Sequence, residues 1–322
     1  MKNLLYFLPL ALGLLACDKT TPLPERDFAE DMRLFVQSIS SNAKAQNPNF
    51  LVIPQNGQEL VTTNLEGDGP LATAYLDAID GQGREDLFYG YNRDNQATAD
   101  KETTYITDFL DKAKAVGVVA VVTDYCSDQS KMDDSYQLNA DKGYLSFAAD
   151  ERELNNIPTY PATIAGENAD DIQSLSEAKN FLYLINPSGY ADKNAFIQAI
   201  SATNYDMLII DAFYEDTWLT AADISVLRSK NNGGIRLVVS YMSIGEAEDY
   251  RYYWQTDWDK NRPTWLDSEN PQWKGNFKVR YWEADWQAVI VGNSDSYLQK
   301  IVEAGFDGVY LDIIDAFEYF SE

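Results

Sequence analysis

The sequence predicts an α/β chain whose body is an eight-stranded (β/α)8 barrel, and three observations lead there. Eight short apolar or β-branched runs alternate with helical patterns, which is the signature of a parallel sheet with crossover helices. Polar residues collect at or just past the C-terminal ends of those runs, where such a barrel keeps its site. No glycine-rich GxGxxG turn follows any run, which disfavours an open, doubly wound sheet.

The runs expected as strands are 50–54 (FLVIP), 86–91 (DLFYGY), 118–125 (VVAVVTDY), 181–186 (FLYLIN), 206–211 (DMLIID), 236–242 (RLVVSYM), 278–283 (KVRYWE) and 308–315 (GVYLDIID). Several are almost continuously apolar, as strands covered on both faces should be. Before the first run, 28–44 (FAEDMRLFVQSISSNAK) carries Phe28, Met32, Phe35, Val36 and Ile39 at helical spacing. Further helices are expected at 105–116, 194–202, 221–230 and 296–304, with Gly233 and Gly305 where helices should stop. The barrel is expected to span 28–322 and to close by pairing the run at 308–315 with that at 50–54.

The formal charge is −26, from 51 acidic against 25 basic residues. Such a surface repels a polyphosphate backbone, so nucleic acid is not expected as a partner, whereas a cationic ligand would be attracted. There are no histidines. That excludes Ser-His-Asp and Cys-His catalysis and the imidazole ligands of zinc and iron, so acid–base work falls to carboxylates, and no metal or cofactor is expected. The two cysteines, Cys17 and Cys126, cannot form a disulfide framework. Cys126 is expected to be a structural thiol.

The N-terminus has Lys2, an apolar run at 4–16 too short to span a bilayer, and Cys17 followed by a polar stretch. The tetrad Leu14-Leu15-Ala16-Cys17 resembles a bacterial lipobox. Residues 1–16 are expected to be a lipoprotein signal peptide, Cys17 the acylated first residue and 17–27 a tether, giving an exported bacterial lipoprotein anchored to a membrane of the cell envelope.

The polar residues expected at the barrel mouth are Gln55, Asn56, Asp124, Tyr125, Asn186, Asp211, Glu246, Glu248, Glu283, Asp312 and Asp315, with Glu85 just before its run. A single strand-end Asp commonly caps a helix. Six or more on one face point to a site. Asp312 and Asp315 fall in an otherwise apolar run, where a carboxylate must be paired, hydrogen-bonded or pKa-shifted. The segment 240–254 (SYMSIGEAEDYRYYW) combines acids, an arginine and aromatics, which suits the hydroxyls and apolar CH face of a sugar and equally suits an acid-capped helix with aromatic core residues.

Together NFLVIPQNGQEL, GREDLFYG, TDYC, NYDMLIIDAF, SYMSIGEAEDYRYYW, NPQWKGNFKVRYW and GFDGVYLDIIDAF resemble the endo-α-1,4-polygalactosaminidases and their prokaryotic relatives, glycoside hydrolase family 114. The resemblance covers about residues 28–320. In much of that family the counterpart of NYDMLIID comes early and that of YLDIID mid-chain. Here YLDIID ends the protein, so the resemblance implies a circularly permuted TIM-type barrel. It also implies Asp312 and Glu85 as the catalytic carboxylates, and Asp211, Tyr241, Glu246, Asp124 and Tyr125 as substrate contacts beside Gln55, Asn56, Trp282 and Asp315. Asp312 is expected to be the ionised partner near the sugar carbon and Glu85 the protonated one near the leaving oxygen. The implied activity is endo-hydrolysis of an α-1,4-linked, galactosamine-containing polysaccharide, of which a cationic amino-sugar polymer is one form. The alternatives are a glycosidase for another polysaccharide and a surface-anchored, non-catalytic glycan-binding barrel.

Overall fold

The computed structural model describes residues 26–258 and 260–321. The expected signal peptide, Cys17 and most of the expected tether lie outside the described residues. No helix among the described residues is long and apolar enough to cross a membrane.

The first helix, Phe28–Gln46, starts where the Asp27 carboxylate accepts the backbone N–H of Glu30, and it buries Met32, Phe35, Val36, Ile39 and Ala43. The chain is mixed α/β around parallel strands, numbered here β1–β8 in chain order. They are Leu51–Pro54 (β1), Gly81–Glu85 (β2), Val119–Tyr125 (β3), Leu145–Ala149 (β4), Phe181–Leu184 (β5), Met207–Asp211 (β6), Leu237–Ser243 (β7) and Gly308–Asp312 (β8). Five form one sheet in the order β1-β8-β7-β6-β5, and three form another in the order β2-β3-β4. The expected pairing of the last run with the first is present, with Val52 opposite Val309 and Pro54 opposite Leu311.

Two of the expected strands are corrected. At 86–91 there is no strand; β2 lies just upstream in GQGRE, and Leu87 instead packs in a side cluster with Ile106, Leu110, Ala120, Val122 and Tyr144. The run at 278–283 is also not parallel. Only its first two residues belong to a strand, Asn276–Val279, which pairs antiparallel with Glu246–Glu248 and Leu266–Glu269 in a small separate sheet. The missing parallel strand is β4, LSFAA, which follows a helix, Gln129–Lys142, with few buried residues and no apolar stripe. Gly305 does end a helix, with φ of +85°, whereas Gly233 sits in a turn beyond the helix Ala221–Leu227.

The two parallel sheets meet at β1 and β2 through an isolated bridge, Gln55 to Gly83. The β1 residues 51 and 55 donate toward β8, so 52, 54 and 56 face β2. Position 54 is proline, which has no N–H to give, so a rung is missing there, and the join is made by the Asp80 N–H on the Val52 carbonyl and the Asn56 N–H on the Gly83 carbonyl, both at 2.9 Å, with side-chain links such as Gln82. On the other flank β4 lies beside β5, where the Phe147 and Phe181 rings approach to 5.7 Å.

Glycine in β2 has a packing reason. A Cβ at Gly83 would stand 2.4 Å from the Tyr310 hydroxyl oxygen and 2.8 Å from its ring, so the strand makes room for a fully buried tyrosine of β8. Gly83→Ala is expected to cost about 1–3 kcal/mol as an overpacked core position. Urea unfolding of the variant checks this, and an unchanged midpoint would show that Tyr310 moves aside freely.

Candidate active site

The C-terminal ends of β1, β2, β3, β5, β6, β7 and β8 open on a cavity of about 500 Å³. At its floor one side chain joins the two expected catalytic carboxyls. The Gln55 Nε2 donates to Glu85 Oε2 at 2.7 Å and to Asp312 Oδ1 at 3.1 Å. Its Oε1 accepts the Tyr183 hydroxyl at 3.0 Å, which orients the amide with its N–H groups toward the acids. Glu85 also accepts from the Asn56 Nδ2 at 3.2 Å and from the Tyr125 hydroxyl, and Asp312 accepts from the Tyr241 hydroxyl at 2.7 Å.

The backbone turns sharply immediately after three of these residues' strands. Asn56, Asp86 and Ile313 have φ of +61°, +60° and +59°. A β-branched residue in the left-handed region costs of order 1–3 kcal/mol, and such strain persists only where the surroundings enforce it. Gly245 leaves room for this turn, since a Cβ there would lie 2.2 Å from the Ile313 carbonyl oxygen.

Burial, then the charge of Glu85, pushes the Asp312 carboxyl up to about 8. A carboxyl at that value is largely protonated near neutral pH, whereas Asp312 is expected from the sequence to be the ionised partner. Burial likewise raises Asp315, at the rim of the same cavity.

Beside the pair, Arg251 donates to both oxygens of Asp211 at 2.9 and 2.8 Å and to Glu248 at 2.6 Å. Asp211 lines the cavity as expected, yet its charge is spent on this arginine. Glu246 lines it too, but its carboxylate accepts from Asn270 at 2.8 Å and Asn276 at 3.3 Å, which ties it to a neighbouring loop. Gln55, Asn56, Tyr125 and Tyr241 are all at the cavity.

Two expected contacts are elsewhere. Asp124 is fully buried away from the cavity, where it accepts from the backbone N–H groups of Phe88 and Tyr89 and from Ser135 and Asn139. It holds the 86–91 segment in a non-strand path. Trp282 packs between Phe28 and Phe320, with centroids 4.9 and 4.7 Å away and Arg26 over its face, because the chain leaves the small sheet at Val279 and turns outward. Cys126 is buried against Met132 and Ala148, and burial pushes its thiol up to about 12, so it is an unreactive packing group.

Sequence reasoning did not single out Tyr183, Arg152 or Trp273, which also line the cavity. Tyr183 lies in an all-apolar strand pattern and Arg152 in a loop, so neither carries a periodic signal. Arg152 stacks over Tyr125 at 3.9 Å and pairs with Asp86 at 3.0 Å, bracing the residue that follows Glu85.

The raised Asp312 carboxyl has a consequence for stability. The folded chain keeps a proton that an unfolded chain, with an Asp near 3.9, releases, so this group's contribution falls as pH rises from about 4 to about 8. Asp312→Asn removes the titration. Its melting temperature relative to wild type is expected to rise between pH 5 and pH 8, by about 2–4 °C per kcal/mol relieved. An offset equal at both pH values would mean that Asp312 is already ionised at pH 5.

Comparison with known proteins places this geometry in a family. Residues 162–322 match the family model of glycoside-hydrolase family GH114. An uncharacterized protein of Methanocaldococcus jannaschii is 39% identical over 155 residues, 48% of this chain and 43% of that protein. One from Deinococcus radiodurans is 38% identical over 123 residues, 38% of this chain and 37% of that protein. The matched stretches thus span less than half the length of these relatives. A crystal structure of Aspergillus fumigatus Ega3 in complex with galactosamine is 20% identical with a TM-score of 0.27, covering 51% of each chain. With its matched half carrying Asp211, Tyr241 and Asp312 at one cavity, the chain belongs to the glycoside hydrolases of family GH114.

Proposed function

We propose that this glycosidase is an endo-acting hydrolase of an α-1,4-linked, galactosamine-containing polysaccharide, working through Glu85 and Asp312. The observation that carries the reading is the shared Gln55 nitrogen. Hydrogen bonds of 2.7 and 3.1 Å to one nitrogen hold the facing carboxyl oxygens closer together than the roughly 6.5–9.5 Å of inverting enzymes, which favours retention. Asp312, with its carboxyl pushed up to about 8, holds a proton near neutral pH. The ionised partner attacks the anomeric carbon while the protonated one gives its proton to the leaving oxygen. In the second half, the latter takes a proton from the water that releases the sugar.

The lining carries seven carboxyl side chains against three cations, Arg152, Arg251 and Lys274. Such a cavity favours a ligand with free amines. We also propose that the eight parallel strands close into one barrel in permuted order; a family match confined to residues 162–322 is what permutation would leave to a linear comparison. The chain is further proposed to be an exported lipoprotein acylated at Cys17, on the strength of the Leu14-Leu15-Ala16-Cys17 tetrad.

Incubation with partially deacetylated galactosaminogalactan should yield oligosaccharides by mass spectrometry. Asp312→Asn and Glu85→Gln should each fold and lose at least about 100-fold in kcat/KM. A variant that keeps more than about a tenth of the rate has lost less than about 1.4 kcal/mol of transition-state stabilisation, too little for a principal catalytic group. In cells, a palmitate analogue should label the wild type and not Cys17→Ser; label persisting in the variant removes the anchor assignment.

A further inference from the structure

Trp273 has an environment unlike that of any other tryptophan in the chain. The sequence has seven. The other six each lie against another aromatic ring, as Trp218 does on Phe213, Trp254 and Trp265 on Trp258, and Trp286 on Tyr253. Trp273 is 50% exposed and stands on the lining of the catalytic cavity. A large apolar ring left in water has no folding reason to be there, and its removal should cost the fold little.

The loop that carries it, between the strands Leu266–Glu269 and Asn276–Val279, is built to hold its shape. Asn270 N–H donates to the Asn276 carbonyl at 2.7 Å, and Asn276 N–H donates to the Trp273 carbonyl at 3.1 Å. The Gly275 N–H is taken by Glu269 at 2.9 Å, and its carbonyl accepts the Asp249 N–H at 2.8 Å. Gly275 also has φ of +90°, and a Cβ there would meet Asp249 at 2.7 Å. Finally the buried Glu246 carboxylate grips both ends of the loop through Asn270 and Asn276. A charge buried at 1% exposure and spent on two loop amides makes sense if the loop must be fixed relative to the cavity.

We propose that Trp273 is a stacking platform for a sugar unit of the polymer next to the one at the catalytic pair, and that Glu246 acts through the 270–276 loop as its positioning residue. This rests on the glycan-hydrolase reading above and deepens it. A flat indole matches the CH face of a pyranose ring and loses little side-chain freedom on binding. The loop is already ordered, so little ordering cost falls on the complex. The platform serves only chains long enough to reach it, so its signature is dependence on chain length.

The test uses partially deacetylated α-1,4-galactosamine oligosaccharides of graded length, titrated against the Asp312→Asn chain and the Asp312→Asn, Trp273→Ala chain. Calorimetry should show the longest oligomers bound at least about 10-fold more weakly without Trp273, and the shortest that bind unchanged. Trp273→Tyr should restore most of the loss. Glu246→Gln keeps an amide acceptor for the loop and should show a smaller loss with the same length dependence. Equal affinities with and without Trp273 at every length overturn the platform while leaving the catalytic pair standing. Failure of both chains to bind any of these glycans overturns both readings.

Discussion

The site depends on one amide. Among the described residues, the Gln55 Nε2 is the one group that hydrogen-bonds both Glu85 and Asp312, and it can do so because the Tyr183 hydroxyl occupies its oxygen. Two carboxyls this close repel, and a donor between them partly compensates; without it, the two side chains would be driven toward other rotamers. Three neighbouring strands converge on that amide: β1 supplies Gln55, β2 Glu85 and β8 Asp312. The glycine at position 83 and the proline at position 54 belong to the same arrangement, since one admits Tyr310 beneath the site and the other loosens the ladder between β1 and β2.

The fold accepts visible costs to hold this geometry. A carboxyl is kept where burial opposes its charge, and three residues next to the site adopt left-handed backbone. The compensation is local. Arg152 braces Asp86, Gly245 accommodates Ile313, and Arg251 neutralises Asp211 and Glu248, so that the acids facing the cavity are not all free to repel one another. The extended apolar core around the strands supplies the surplus from which these local terms are drawn.

Much of this was legible from residues alone, and the failures have physical causes. Strands such as β3, β6 and β7 are apolar runs because both faces are covered, and Tyr125, Asp211 and Tyr241 at or near their ends line the cavity. β2 was misplaced by a few residues because its glycines are there for Tyr310, a partner more than two hundred positions away that no local pattern reveals. β4 was missed because the helix before it has no apolar stripe to mark a repeat, while KVRYWE imitated a buried strand with residues that serve a small antiparallel sheet and an aromatic cluster. Glu85 and Asp312 were found by resemblance and by strand-end chemistry. Asp124 looked equivalent to them, yet its side chain is turned to two backbone N–H groups, a direction that a sequence does not encode. The distribution of the proton was also out of reach, since it follows from burial and the distance between two side chains.

The join between β1 and β2 also has a mechanical meaning. Glu85 rides on the three-stranded sheet and Asp312 on the five-stranded one, so the gap between them is measured across the place where Pro54 interrupts the backbone ladder. A continuous ladder would act as a stiff ruler; here the backbone bonds on either side of Pro54 share the spacing with side chains, which behave as a softer spring. Hydrostatic pressure or a remote packing change that shears the two sheets would therefore alter the distance between the two carboxyls before it registered in the folded fraction, making that distance the most sensitive gauge of how the two sheets are seated.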